Sequence, residues 1–206
     1  MRLGICGGTF DPFHRGHLDP ILAVRDEMQW DRVLYVPAFV QPFKRDRQTA
    51  SPYDRFAMTV LGTEGNGSMY VSSRELERGA VSYTIDTLHE IRRDHPSAAL
   101  DWIVGDDNLD RLGEWKSLDE IFSLANFVVL TRAEGALLPD AFRGRIQKKN
   151  SGKRSGEIIF ASNRTVPVSS TEIRTRIGRD ESIDDLVPPP VSRYIHHYGL
   201  YRKDHS

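Results

Sequence analysis

Apolar residues recur along this chain in two alternating patterns. Short apolar runs of strand length fall at residues 2–6, 32–36, 69–72, 100–104, 127–131 and 157–160. Between them the apolar positions take helical spacing. Leu18, Ile21, Leu22 and Met28 predict one helix face, and Ile85, Leu88 and Ile91 predict another. Phe56, Val60 and Leu61 predict a further helix, with Ser51 as N-cap and Pro52 at the first helical position. Ser169 followed by Glu172 is a capping box that starts a later helix. Pro188-Pro189-Pro190 introduces a last helix, which ends before Gly199.

Strands alternating with helices predict an α/β fold, a doubly wound, mostly parallel sheet with helices on both faces. Ligands of such sheets sit beyond the carboxyl ends of the strands, near the point where strand order reverses. Chemistry is therefore expected in the loops that follow the strands. The length of 206 residues fits one domain, with a small helical part from about residue 169.

Composition changes this picture little. Hydrophobic residues are 39% and charged residues 28%, a globular balance. The formal net charge of −1 argues against a protein that holds long nucleic acid. A single cysteine, Cys6, lies in an apolar run and reads as a buried core thiol. No segment approaches the ~18 apolar residues of a membrane span. Gly7-Gly8 follows too few apolar residues for a signal-peptide core, so the expectation is a cytoplasmic protein without a membrane partner. Residues 144–154 gather basic side chains and glycine and read as a mobile surface loop.

The richest chemistry lies in Gly7-Gly8-Thr9-Phe10-Asp11-Pro12-Phe13-His14-Arg15-Gly16-His17, directly after the first strand. Gly7 and Gly8 are expected to let backbone approach a ligand, and Asp11-Pro12 to form a turn. His14 and His17 share one face of a helix start, above free N–H groups, with Gly16 leaving room between them. Donors, a positive helix end and two imidazoles suit a phosphate chain. A metal-ligand pair and an idle solvated pair are the alternatives, and no neighbouring cluster supplies a third ligand.

A second anion site is expected at the helix opened by Ser169. There Ser170 and Thr171 offer hydroxyls and N–H groups, and Arg174 lies on the same face. Simple helix capping is the bland alternative. Ser82-Tyr83-Thr84 opens a helix whose positive end suits a carboxylate. Gly105, Asp107 and Trp115 follow the fourth strand. Trp115 is placed either to stack on a ligand ring or to fill the core. Lys44 either reaches a phosphate or is merely solvated.

These stretches together resemble the bacterial nicotinate-nucleotide adenylyltransferases. The run from Gly7 to Leu18 looks like the His-x-Gly-His signature of the nucleotidyltransferase superfamily, and Ser169 to Arg174 looks like its second signature. Arg78-Gly79-Ala80-Val81-Ser82-Tyr83-Thr84-Ile85-Asp86-Thr87-Leu88 and the run from Gly105 to Trp115 narrow the likeness, which spans Arg2 to about Tyr201. The resemblance implies a Rossmann-like fold and transfer of the adenylyl group of ATP to nicotinate mononucleotide. The products would be deamido-NAD and pyrophosphate, with Mg²⁺ on the ATP phosphates and no metal site of the protein's own.

It further implies that His14, His17 and Arg174 act on the phosphates. Gly8, Thr9, Phe10, Lys44, Gly105, Asp107, Ser170 and Thr171 would bind ATP, and Thr84 and Trp115 would receive nicotinate. Two departures stand out. Phe43 occupies a place where the family usually has histidine, and Val81 replaces a common proline. The competing readings are another acceptor, such as nicotinamide mononucleotide or phosphopantetheine, and a non-catalytic nucleotide sensor.

Overall fold

A computed structural model describes residues 1–42, 50–131, 140–147 and 155–202. Lys44 and Phe43 lie outside the described residues, as do residues 148–154 of the basic stretch. In chain order the elements are β1 (Arg2–Gly8), α1 (Arg15–Met28), β2 (Arg32–Pro37), α2 (Pro52–Thr63), β3 (Met69–Val71), α3 (Arg74–Arg78) and α4 (Thr84–Asp94). They continue with β4 (Ala99–Gly105), α5 (Leu118–Leu124), β5 (Asn126–Leu130), β6 (Ile146–Gln147), β7 (Ile158–Phe160), α6 (Ser170–Ile177) and α7 (Pro189–Tyr198).

The described strands form one sheet in the order β3-β2-β1-β4-β5-β7-β6, and every pairing is parallel. The chain winds outward from β1 to β3, then crosses back to place β4 on the other side of β1. The reversal therefore falls between β1 and β4, and a crevice opens beyond their carboxyl ends. This is the doubly wound sheet that the alternation of runs predicts.

Strand periodicity sorts the side chains into two cores. Leu3, Ile5, Leu100, Trp102, Val104, Phe127 and Val129 face α4 and α5. Cys6, Ile103, Val128 and Leu130 face the other side, where α1 contributes Ile21, Val24 and Met28. Cys6 is buried there as expected. Ile173 and Ile177 of α6 and Val191 and Ile195 of α7 join that same core. The C-terminal helices thus pack on the sheet layer that carries the His14–His17 turn.

Most expected helix signals hold. Ser51 Oγ accepts the Asp54 N–H at 3.1 Å, and Pro52 opens α2. Ser169 Oγ accepts the Glu172 N–H at 3.1 Å, while the Glu172 carboxylate pairs with Arg176 instead of completing the box. Gly199 ends α7 with φ of 62°, a left-handed cap that glycine takes without strain.

Two expectations need correction. The buried face of α2 is formed by Arg55, Met58, Thr59, Gly62 and Thr63; of the expected Phe56, Val60 and Leu61, only Leu61 packs against the core, and Val60 is exposed. Gly62 sits there because Phe13 packs on its Cα, and a Cβ would meet that ring at 2.3 Å. Within the basic stretch, residues 144–147 are a helical turn and the edge strand β6, not loop. Arg145 stands 4.2 Å over the Phe122 ring and donates to the Gly156 carbonyl, which fixes that edge. Among the described residues no helix is long and apolar enough to cross a membrane.

Candidate active site

Beyond the carboxyl ends of β1 and β4 lies a cleft of about 680 Å³. Its lining draws together Gly8, Thr9, Phe10, His17, Thr84, Gly105, Asp107, Trp115, Ser170, Thr171 and Arg174. Stretches as far apart as residues 8 and 174 thus meet at the strand-order reversal, as the sheet topology demands.

His14 is the exception. It occupies the N-cap of α1, is buried, and lines a smaller neighbouring cavity together with Val168, Ser169 and Glu172. Its ring stacks on that of His17 with centroids 3.6 Å apart. His14 is thus behind His17, with the shared helix face expected from the spacing. The His14 N–H donates to His17 Nδ1 at 3.3 Å. With Nδ1 accepting, the proton of a neutral His17 ring sits on Nε2, a donor turned away from the helix start. Phe10 meets the His17 ring edge-on at 5.0 Å, and Phe13 packs at 5.6 Å. Tyr35 Oη donates to the His17 carbonyl at 3.0 Å. Rotamer, tautomer and position of this imidazole are therefore set before any ligand arrives.

Gly7, Gly8 and Gly16 line the cleft, and they also make room for packing inside the chain. A Cβ on Gly7 would strike Trp102 at 2.6 Å, and one on Gly8 would strike Phe10 at 2.8 Å. At Gly16 it would meet Val168 at 2.9 Å and the His14 ring at 3.1 Å. The space these glycines leave is filled by the chain's own side chains. Phe10, with φ of 53°, likewise turns its ring into the core instead of toward solvent.

The second anion site docks directly on the first. Arg174 Nη1 donates to the Asp11 carbonyl at 2.6 Å, and Ser170 Oγ donates to the Pro12 carbonyl at 3.2 Å. Arg174 Nη2 also reaches Thr171 Oγ1 at 3.3 Å. The hydroxyls expected to point outward thus partly tie α6 to the His14–His17 turn. The start of α6 and a guanidinium remain on the cleft wall, a suitable seat for phosphate oxygens.

Several residues that sequence patterns did not single out hold this frame. Arg55 is fully buried and donates to the carbonyls of Thr9 (2.7 Å), Ala38 (2.6 Å) and Phe39 (3.0 Å). Burial pushes its guanidinium below the usual arginine range, and the facing Asp11 carboxylate opposes that shift. Asp11 Oδ1 accepts from Tyr201 Oη at 2.8 Å and from the Ala50 N–H at 3.2 Å. Burial, then the Asp11 charge, pushes the Tyr201 phenol far above its ordinary value, so it is a permanent donor. Thr9 Oγ1 donates to Gln41 at 2.8 Å.

At the other end of the cleft, Thr84 begins α4, whose N-cap residue Tyr83 gives the first-turn amides no side-chain cap. Ser82 Oγ accepts the Phe39 N–H at 3.0 Å, joining this turn to the Arg55-held loop. Glu75 lies buried on the same wall and accepts from Thr87; desolvation raises its carboxyl above the usual range. Trp115 stands between the core and the cleft. Part of its ring packs edge-on against Phe127 at 5.7 Å, and the residue also lines the cleft.

Similarity to known proteins agrees with this geometry. Residues 5–176 match the cytidylyltransferase-like family model. The chain is 40% identical to a probable nicotinate-nucleotide adenylyltransferase of Thermoanaerobacter sp. (strain X514), over 99% of this chain and 96% of the relative. It is 37% identical to another so named from Clavibacter michiganensis subsp. michiganensis (strain NCPPB 382), over 98% and 94%. In fold it is similar to Plasmodium falciparum nicotinic acid mononucleotide adenylyltransferase complexed with NaAD. That likeness has a TM-score of 0.73 and 17% identity, over 97% of each chain.

Proposed function

The chain belongs to the nicotinate-nucleotide adenylyltransferases of the cytidylyltransferase-like family, and from that premise we propose how its cleft carries out the family's reaction. The enzyme transfers the adenylyl group of ATP to nicotinate mononucleotide, giving deamido-NAD and pyrophosphate, a step of NAD biosynthesis. The observation that carries the residue roles is the meeting of His17, Arg174 and the starts of α4 and α6 on one cleft.

The acceptor phosphate is already an anion at neutral pH, so it needs no base to activate it. An oxygen of that phosphate attacks the α-phosphorus of ATP, and the bond from the α-phosphorus to the bridging oxygen breaks. Pyrophosphate leaves with that electron pair. Catalysis reduces to alignment and to stabilising charge on the equatorial oxygens. His17 Nε2–H donates to the α-phosphate as that charge grows, and His14 backs its ring. Arg174, Ser170, Thr171 and the start of α6 hold the leaving phosphates, with Lys44 assisting. Gly8, Thr9, Gly105 and Asp107 hold the nucleotide, with Phe10 supporting the turn from behind.

No group of three His, Cys, Asp or Glu side chains able to hold a metal occurs among the described residues. The wall near α6 presents N–H groups, hydroxyls and a guanidinium. Such a donor set binds phosphate oxygens rather than a cation, so Mg²⁺ would be carried in by the ATP phosphates with most of its waters kept. The ion would supply further charge neutralisation there. At the far end the start of α4 at Thr84 attracts the nicotinate carboxylate, and the Trp115 ring stacks on the pyridine.

Mass analysis of the products tests the assignment. Incubation with ATP, Mg²⁺ and nicotinate mononucleotide is expected to yield deamido-NAD and one pyrophosphate per molecule formed. Binding of ATP without pyrophosphate release would instead identify a sensor.

A further inference from the structure

The wall at the Thr84 end of the cleft carries a cation that belongs to none of the signature stretches. Lys116 follows Trp115 and lines the cleft beside Tyr83 and Thr84. Its ammonium lies 4.6 Å from the centroid of the Tyr83 ring. Nζ also stands 3.3 Å from both carboxylate oxygens of Asp86. Asp86 is in the first turn of α4, the turn proposed above to attract the nicotinate carboxylate.

An acidic substituent at that place meets two opposing fields. The positive end of α4 attracts it, and the full charge of Asp86 repels it. A neutral amide carries no net charge for either field to act on. The Lys116 ammonium, held at equal distance from both Asp86 oxygens and seated on the Tyr83 face, cancels the repulsion and leaves the helix end dominant.

We propose that Lys116 is a specificity-determining residue, which favours an acidic over a neutral acceptor ring by neutralising Asp86. This rests on the acceptor assignment made above. Both partners are partly solvated, with side-chain exposures of 49% and 38%, so the effect is moderate and weakens with salt.

The test is kcat/KM for nicotinate and nicotinamide mononucleotides in wild type, Lys116→Ala, Lys116→Arg and the Lys116→Ala/Asp86→Asn double variant. Lys116→Ala is expected to lower the acid-to-amide ratio about fivefold, through KM of the acid with kcat nearly unchanged. Lys116→Arg should keep the ratio within about twofold, since it restores the charge. Adding Asp86→Asn to Lys116→Ala should return the ratio toward wild type, because the repulsion is then gone. An unchanged ratio in Lys116→Ala, or no recovery in the double variant, overturns the proposal while leaving the acceptor assignment standing. A wild type that turns over neither mononucleotide overturns both.

Discussion

Replacing His17 with alanine is expected to lower kcat by about a hundredfold or more, as for loss of a key transition-state donor. The expectation follows from how the ring is held. Its Nδ1 is occupied by the His14 N–H, its flanks by His14, Phe10 and Phe13, and its carbonyl by Tyr35. A donor fixed in this way costs no reorganisation when charge develops, which is where such groups gain most. The KM for ATP should change far less, because Arg174 and the start of α6 remain. Steady-state pyrophosphate release, with far-UV circular dichroism to confirm the fold, is the check. Near-normal kcat would remove His17 from its assigned role.

The second large effect is on stability. Arg55→Met is expected to cost about 3–5 kcal/mol. It leaves the carbonyls of Thr9, Ala38 and Phe39 without the donor that now reaches all three. The methionine matches the stem in bulk, so packing is nearly kept and the lost hydrogen bonds dominate. Urea denaturation measures it. A change below about 1 kcal/mol would mean that water takes over the role of the guanidinium. Because Arg55 joins the Thr9 turn to the 38–39 loop, the variant should also bind ATP less tightly.

Arg55 also shows where reading the sequence stops. The stripe Arg55, Met58, Thr59, Gly62 and Thr63 has perfect helical spacing, yet only Met58 is strongly apolar. Hydrophobicity therefore pointed to Phe56, Val60 and Leu61 on another face. The buried threonines escape penalty by donating to carbonyls one turn back, Thr59 to Arg55 and Thr63 to Thr59. Polar residues at a core-facing spacing were the available signal. The strands were easier, since β1, β2, β4 and β5 are long enough to show their apolar runs. The two-residue β6 is too short for any period to appear.

The site divides along the same line. Local chemistry placed His17, Thr84, Trp115, Ser170 and Arg174 on strand-following loops or helix starts, and the sheet brings these onto one cleft. What stayed hidden is held by distant partners. Tyr201 reaches Asp11 across 190 residues, and Arg174 reaches the Asp11 carbonyl across 163. No local pattern encodes such pairs. The packing role of the glycines stayed hidden for a related reason. Space beside Gly7, Gly8 and Gly16 looks vacant in a sequence, whereas in the fold Trp102, Phe10 and Val168 fill it.

The most direct test of the central claim is kcat/KM for pyrophosphate release from ATP with nicotinate mononucleotide, nicotinamide mononucleotide and phosphopantetheine as acceptors. The account predicts that nicotinate mononucleotide is used at least about tenfold better than the amide, in keeping with a helix end that attracts a carboxylate. Phosphopantetheine, with no ring for Trp115, should not be used. Equal turnover of the two mononucleotides, or a preference for either alternative acceptor, would contradict it.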